Sequence, residues 1–114
     1  MKITRRSAKA KGSKLQVDIR DRLRKEFPTL DEDDITSTSG GVKGVDIKLS
    51  PAARKQIPYS IEAKNQEKTS IWEWLKQAEA NKIQGTEPVL IFKRNFSKTY
   101  AVIDIDLFIK LITK

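Results

Sequence analysis

The sequence predicts an α/β fold, a mixed central sheet flanked by helices. Three observations carry that expectation. Leu15, Ile19, Leu23 and Phe27 recur every four residues, which draws one apolar stripe along a helix. Val45, Ile47 and Leu49 alternate with Gly44, Asp46 and Lys48, the period of a half-buried strand. Residues 88–92 form an unbroken apolar run, as in a central strand covered on both faces. The element order is α-β-β-β-α-β-β-α, and its middle helix can act as a right-handed crossover between parallel strands.

Residues 1–12 are rich in Lys and Arg and contain no acid, and read as a basic flexible arm ahead of a single domain at 13–114. Arg5, Arg6 and Lys11 can grip phosphates there, or the arm can be a solvated terminus. Ser13 and Gln16 fit a capping box that opens the first helix, and Pro28 ends it. The acids Asp31, Glu32, Asp33 and Asp34 read as a solvated turn rather than a metal site. Residues 35–39 are β-branched and polar and run into the Gly40-Gly41 turn. Ser37 and Ser39 on that strand can touch a phosphate or stabilise the turn.

The strand at 42–49 follows, then a single turn opened by Pro51, then a strand at 58–64. The last two strands read as a hairpin-like pair with a long connection. Ser70 and Glu73 suggest a second capping box, opening a helix that runs to about Ile83. Ile71, Trp74, Leu75 and Ala78 face its core, and Gly85 closes it. Trp72 can either stack on a base or pack. Lys93, Arg94 and Lys98 follow the buried strand and can hold phosphates or form a solvated turn. Residues 100–105 give the last strand. A final helix at 106–112 packs Leu107, Phe108, Leu111 and Ile112.

Composition narrows the chemistry. The 114 residues contain neither cysteine nor histidine, which excludes disulfide frameworks, thiolate zinc sites, imidazole bases and Ser-His triads. A formal net charge of +8 favours a polyanionic partner, most simply nucleic acid. No apolar run approaches the roughly 20 residues that span a bilayer, so no membrane role is expected. The basic start lacks an apolar signal core, and the expected location is intracellular, in the cytoplasm.

The chemistry-bearing stretch is Asp46 with Glu62-Ala63-Lys64. On a strand, Glu62 and Lys64 point to one face and Ile61 and Ala63 to the other. If the strand of Asp46 lies beside them, two carboxylates and an ammonium converge. Mg²⁺, or Mn²⁺ in its place, suits such hard oxygen donors, and the Ala63 carbonyl can add another. Lys64 can orient the attacking water and accept its proton.

Gly44-Val45-Asp46 with Ile61-Glu62-Ala63-Lys64 resembles the signature of the PD-(D/E)XK nuclease superfamily, Val45 standing at the proline position. The element order is similar to that superfamily's restriction-endonuclease-like αβββαβ core. The chain also resembles small phage-encoded nucleases and Holliday junction resolvases. The resemblance implies a metal-dependent DNA endonuclease, structure-specific on branched DNA and working as a homodimer, in the host cytoplasm if phage-encoded. It implies catalytic roles for Asp46, Glu62, Lys64 and, on the following helix, Gln77. Resolvases also carry an acid on the first helix, where this chain offers Gln16 and Asp18. The rival expectation is a non-catalytic basic protein that binds nucleic acid.

Overall fold

The computed structural model describes the backbone of residues 5–38 and 44–114, with side chains from Ala10 onward in those ranges. Ser39, the Gly40-Gly41 turn and the side chains of Arg5 and Arg6 lie outside the described residues. The elements are α1 (Arg5–Glu26), β1 (Ile35–Ser37), β2 (Ile47–Leu49), α2 (Pro51–Gln56), β3 (Tyr59–Asn65), α3 (Ile71–Asn81), β4 (Glu87–Lys93), β5 (Tyr100–Val102) and α4 (Ile105–Ile112). The three-stranded mixed sheet has the order β3-β4-β5. β3 and β4 run parallel, joined through α3, and β5 returns antiparallel. The expected αβββαβ order is present.

The two faces of β3 explain the layers. Ile61 and Ala63 join Leu15, Ile19, Ile35, Ile47, Leu49, Ala53 and Ile57 in a core beneath α1, with Tyr59, Leu23, Phe27, Val89 and Ile91 packed at its margin. The other face carries Ser60, Glu62 and Lys64. There α3 presents Trp74 and Ala78, both buried, with the Trp74 ring 6.0 Å from that of Phe92. β4 is central in the sheet, but only Leu90 is fully buried along it.

Four expectations need correction. α1 starts at Arg5, not Ser13, so the expected arm is helical from Arg5 onward. Ala8, Lys9, Ala10 and Lys11 are strong helix formers, and the single Gly12 costs only about 1 kcal/mol. Gln16 therefore does not close a capping box with Ser13. Its side chain is spent elsewhere, on Asp46. The second capping box also fails: Ser70 is the N-cap, but its hydroxyl makes no cap bond.

The hairpin-like pair is replaced. β2 pairs antiparallel with β1, Thr36 opposite Lys48, while β3 pairs with β4. Gly44, at φ 105°, turns the chain ahead of β2. Asp46 then meets β3 through one backbone bond, its N–H donating to the Ile61 carbonyl at 3.0 Å. Its carboxylate takes the next β3 donor, so the side chain stands in for a ladder partner. The acidic run is also structural. The Asp34 carboxylate accepts from Ser50 Oγ at 2.6 Å and from the Asp31 N–H at 2.8 Å, bonds that hold its carboxyl below the ordinary range.

The crossover is tied down by a buried hydroxyl pair. Ser60 Oγ and Thr86 Oγ1 are 2.6 Å apart, and the Ile83 N–H donates to Ser60 Oγ at 2.9 Å. Ser60→Ala leaves that N–H without its partner, so a loss of about 1–2 kcal/mol is expected in urea unfolding. An unchanged midpoint would show that water replaces the hydroxyl at no penalty.

Candidate active site

Asp46 lies at the free edge of β3 and is pinned from two directions. Its Oδ1 accepts from Gln16 Nε2 at 3.0 Å, and its Oδ2 accepts from the Ala63 N–H at 2.7 Å. Its own carbonyl accepts from the Thr38 N–H at 3.0 Å and the Thr38 hydroxyl at 3.3 Å. The backbone groups of a strand residue leave on the same side, so the Ala63 carbonyl faces the edge that Asp46 occupies. Burial pushes the Asp46 carboxyl above its ordinary value, against the opposing pull of the Ala63 N–H and Lys64.

Glu62 is 3% exposed. Its carboxyl is pushed up to about 7, first by burial and second by the charge of Asp46, with Lys64 and the Asn81 side chain acting the other way. A carboxylate whose proton affinity is raised by burial and by a second carboxylate has that neighbour close by in a poorly solvated place. Glu62 Oε2 has no hydrogen-bond partner among the described residues. Lys64, half-buried, stands on the same face of β3 and favours the ionised form of both acids.

Of the two first-helix residues, Gln16 is buried at 6% exposure and reaches Asp46, whereas Asp18 is exposed and pairs with Arg22. Asn81 is the α3 residue beside Glu62. Gln77, one turn earlier, is exposed and makes no side-chain hydrogen bond among the described residues. Asn81 continues the stripe of Trp74 and Ala78 at helical spacing. That polar end to an apolar stripe is the sequence signal that could have found it.

The basic groups divide. Lys93 ends β4 opposite Asn65, beside the site, and Arg94 is exposed in the following turn. Lys11 is not on a free arm. Its Nζ lies 3.6 Å from Glu67 Oε1, its side chain is 19% exposed, and its carbonyl accepts weakly from Asn65 Nδ2 at 3.4 Å. Ser37 is half-buried on β1, but Thr38 makes the contacts to Asp46.

A hard divalent cation fits this donor set. Two carboxylates and a carbonyl are all oxygen, and the unpartnered Glu62 Oε2 lacks the hydrogen bond that a buried carboxylate otherwise needs. Among the described residues no third acid joins them. The arrangement suits hydrolysis of a phosphate ester: paired acids for a cation, a lysine beside them, and basic groups at the strand ends.

No curated protein and no solved structure matches the chain. A family model does, over residues 7–114, and its description is "Phage putative PDDEXK endonuclease". The match takes in Gln16, Asp46, Glu62, Lys64 and Asn81 together. The chain belongs to this phage PDDEXK endonuclease family.

Proposed function

We propose that the protein is a metal-dependent DNA endonuclease whose reaction is carried out by Asp46, Glu62 and Lys64. The observation that carries this reading is the half-buried Asp46, bonded to the Ala63 N–H at the edge of β3, acting on the buried Glu62 of the same strand, with Lys64 on the Glu62 face of that strand. Asp46, Glu62 and the Ala63 carbonyl would hold Mg²⁺ or Mn²⁺. When bound, the cation makes an attacking hydroxide accessible at neutral pH and offsets charge growing on the phosphate.

The chain's own residues do the remaining work. Gln16 and the Ala63 N–H fix the Asp46 carboxylate, and Asn81 favours the ionised form of Glu62. Lys64, as an ammonium, orients the water for in-line attack on phosphorus and draws the scissile phosphate in, the water's proton passing to solvent. Lys93 and Arg94 hold flanking phosphates, with Lys11, Ser37, Ser39, Arg5 and Arg6 as further contacts. Gln77, exposed on α3, is proposed to contact the bound substrate.

Branched DNA is the proposed substrate and a homodimer the working form, acting in the host cytoplasm. The dimer reading is supported by α4, where Ile105 is 66% and Ile112 61% exposed, with Phe108 and Ile109 beside them. Contiguous apolar exposure of this kind marks protein contacts. No helix among the described residues is long and apolar enough to cross a membrane.

The test is cleavage of plasmid, linear duplex, single-stranded and four-way-junction DNA in Mg²⁺ and in EDTA, with the oligomeric state read by sedimentation. Cutting in Mg²⁺ alone, faster on the junction and lost in Lys64→Ala, is expected. Binding without cutting in either Mg²⁺ or Mn²⁺ would favour the non-catalytic reading instead.

A further inference from the structure

We infer that Phe96 is an aromatic wedge that enters the base stack of DNA bound beside the candidate active site, an inference that rests on the nucleic-acid reading above. Phe96 is fully exposed, at 104% of its reference area, and its backbone sits at φ 61°. The turn uses a left-handed residue at this place, but neither the bulk of the side chain nor its exposure helps the fold. A ring in water buries nothing, and the left-handed backbone region is unfavourable for a bulky side chain, where glycine or asparagine is at ease. Strain of this kind is retained where it serves a function.

The turn that carries the ring is firmly built. The Ser97 N–H donates to the Arg94 carbonyl at 3.2 Å, and Ser97 Oγ accepts from the Arg94 N–H at 3.0 Å. Ser97 Oγ also lies 3.0 Å from the Arg94 carbonyl and 2.8 Å from that of Lys98. The turn is coupled to the segment that follows Lys64: the Gln66 N–H donates to the Lys93 carbonyl at 3.1 Å, and the Asn95 N–H donates to Glu67 Oε1 at 3.1 Å. Phe96 is thus presented on a platform fixed to the strand of Glu62 and Lys64.

Charge identifies the partner. Lys93, Arg94 and Lys98 flank the ring in sequence, with Arg94 and Lys98 exposed. An aromatic face among cations is the arrangement that binds a phosphate backbone while stacking on a base. Reach is also suitable. Lys93 is opposite Asn65 in the sheet, so Phe96 lies at most about 20 Å along the chain from Lys64. That corresponds to about six base steps of duplex. Insertion is easiest where bases are already unstacked or unpaired, so the wedge would steer the enzyme toward branch points and mismatches.

The test uses duplexes carrying 2-aminopurine at successive positions, bound in EDTA so that no strand is cut. The parent protein should brighten one or two adjacent positions by roughly threefold or more, the signature of a base leaving its stack. Phe96→Trp should keep this response, and Phe96→Ala and Phe96→Gly should lose it. Circular dichroism and the salt dependence of binding should match the parent in all three, since the ring buries nothing and the cations remain. Equal brightening by Phe96→Ala, or none at any position with saturating parent protein, overturns the wedge. Because the readout needs no cleavage, a failure of the nuclease reading appears separately, as DNA left intact in Mg²⁺.

Discussion

Asp46→Asn is expected to abolish cleavage without destabilising the protein, whereas Asp46→Ala is expected to do both. The parent carboxylate accepts one bond from Gln16 Nε2 and one from the Ala63 N–H. An amide there keeps an oxygen for Ala63 and can turn its NH₂ toward Gln16. The Gln16 amide needs only to rotate by half a turn, offering Oε1, which has no partner among the described residues in the parent. Every bond is then replaced. The buried charge whose desolvation raises the Asp46 pKa is gone, so stability should hold or rise.

Alanine strands both donors, and each unsatisfied buried group costs about 1–3 kcal/mol, giving a loss of about 2–6 kcal/mol. Either change removes negative charge from the cation-binding pair. If that pair supplies several kcal/mol of transition-state stabilisation, cleavage should fall at least about a thousandfold. Plasmid nicking rates and urea unfolding of the three proteins read both effects. Asp46→Asn that cuts at more than about a tenth of the parent rate would remove Asp46 from the pair. Asp46→Ala as stable as the parent would mean that Asp46 does not organise the edge of β3.

The same double use of Asp46 explains what could be read from sequence. Strand period placed Glu62 and Lys64 on one face, and the structure has them there, because period two follows from the backbone itself. The β3-α3-β4 crossover was legible for a similar reason: an apolar strand run after an amphipathic helix has few other arrangements. That Asp46 lies beside the strand of Glu62 was expected, but the way it meets that strand was not legible. Alternation in residues 45–49 says which side chains are buried, but not that β2 pairs with β1 and leaves Asp46 to meet β3 by one backbone bond and its carboxylate. Gln16 was visible only as an absent acid, since a hydrogen bond from residue 16 to residue 46 leaves no local pattern. Asn81 was hidden for the opposite reason. Gln77 fitted the expected place by analogy, but the stripe of Trp74 and Ala78 aims the helix so that Asn81 reaches Glu62.

Glu62 should make the metal-free protein less stable as pH rises toward neutrality. The unfolded chain releases this proton near the ordinary value of 4.5, while the folded protein holds it to about 7. Between those values the folded state binds more protons, so its stability falls with rising pH and levels off above the window. A shift of this size corresponds to at most about 3 kcal/mol. Asp34 acts in the opposite sense. Its carboxyl is lowered, so its contribution is complete above its ordinary value and is lost only in acid, below the Glu62 window. Urea unfolding from pH 4.5 to above 7 in EDTA should therefore decline for the parent and decline less for Glu62→Gln, which keeps only the contribution of the raised Asp46 carboxyl.

Added Mg²⁺ should raise the parent most at the alkaline end, where Glu62 is ionised, because a cation that binds only the folded form adds stability by mass action. It should leave Glu62→Gln nearly unmoved. A parent profile as level as that of the variant would mean that Glu62 is not strained by burial and by Asp46. A parent that declines but does not respond to Mg²⁺ or Mn²⁺ would mean that the strain is real and that no cation relieves it. The two measurements together separate a carboxylate kept for metal binding from one that is merely buried.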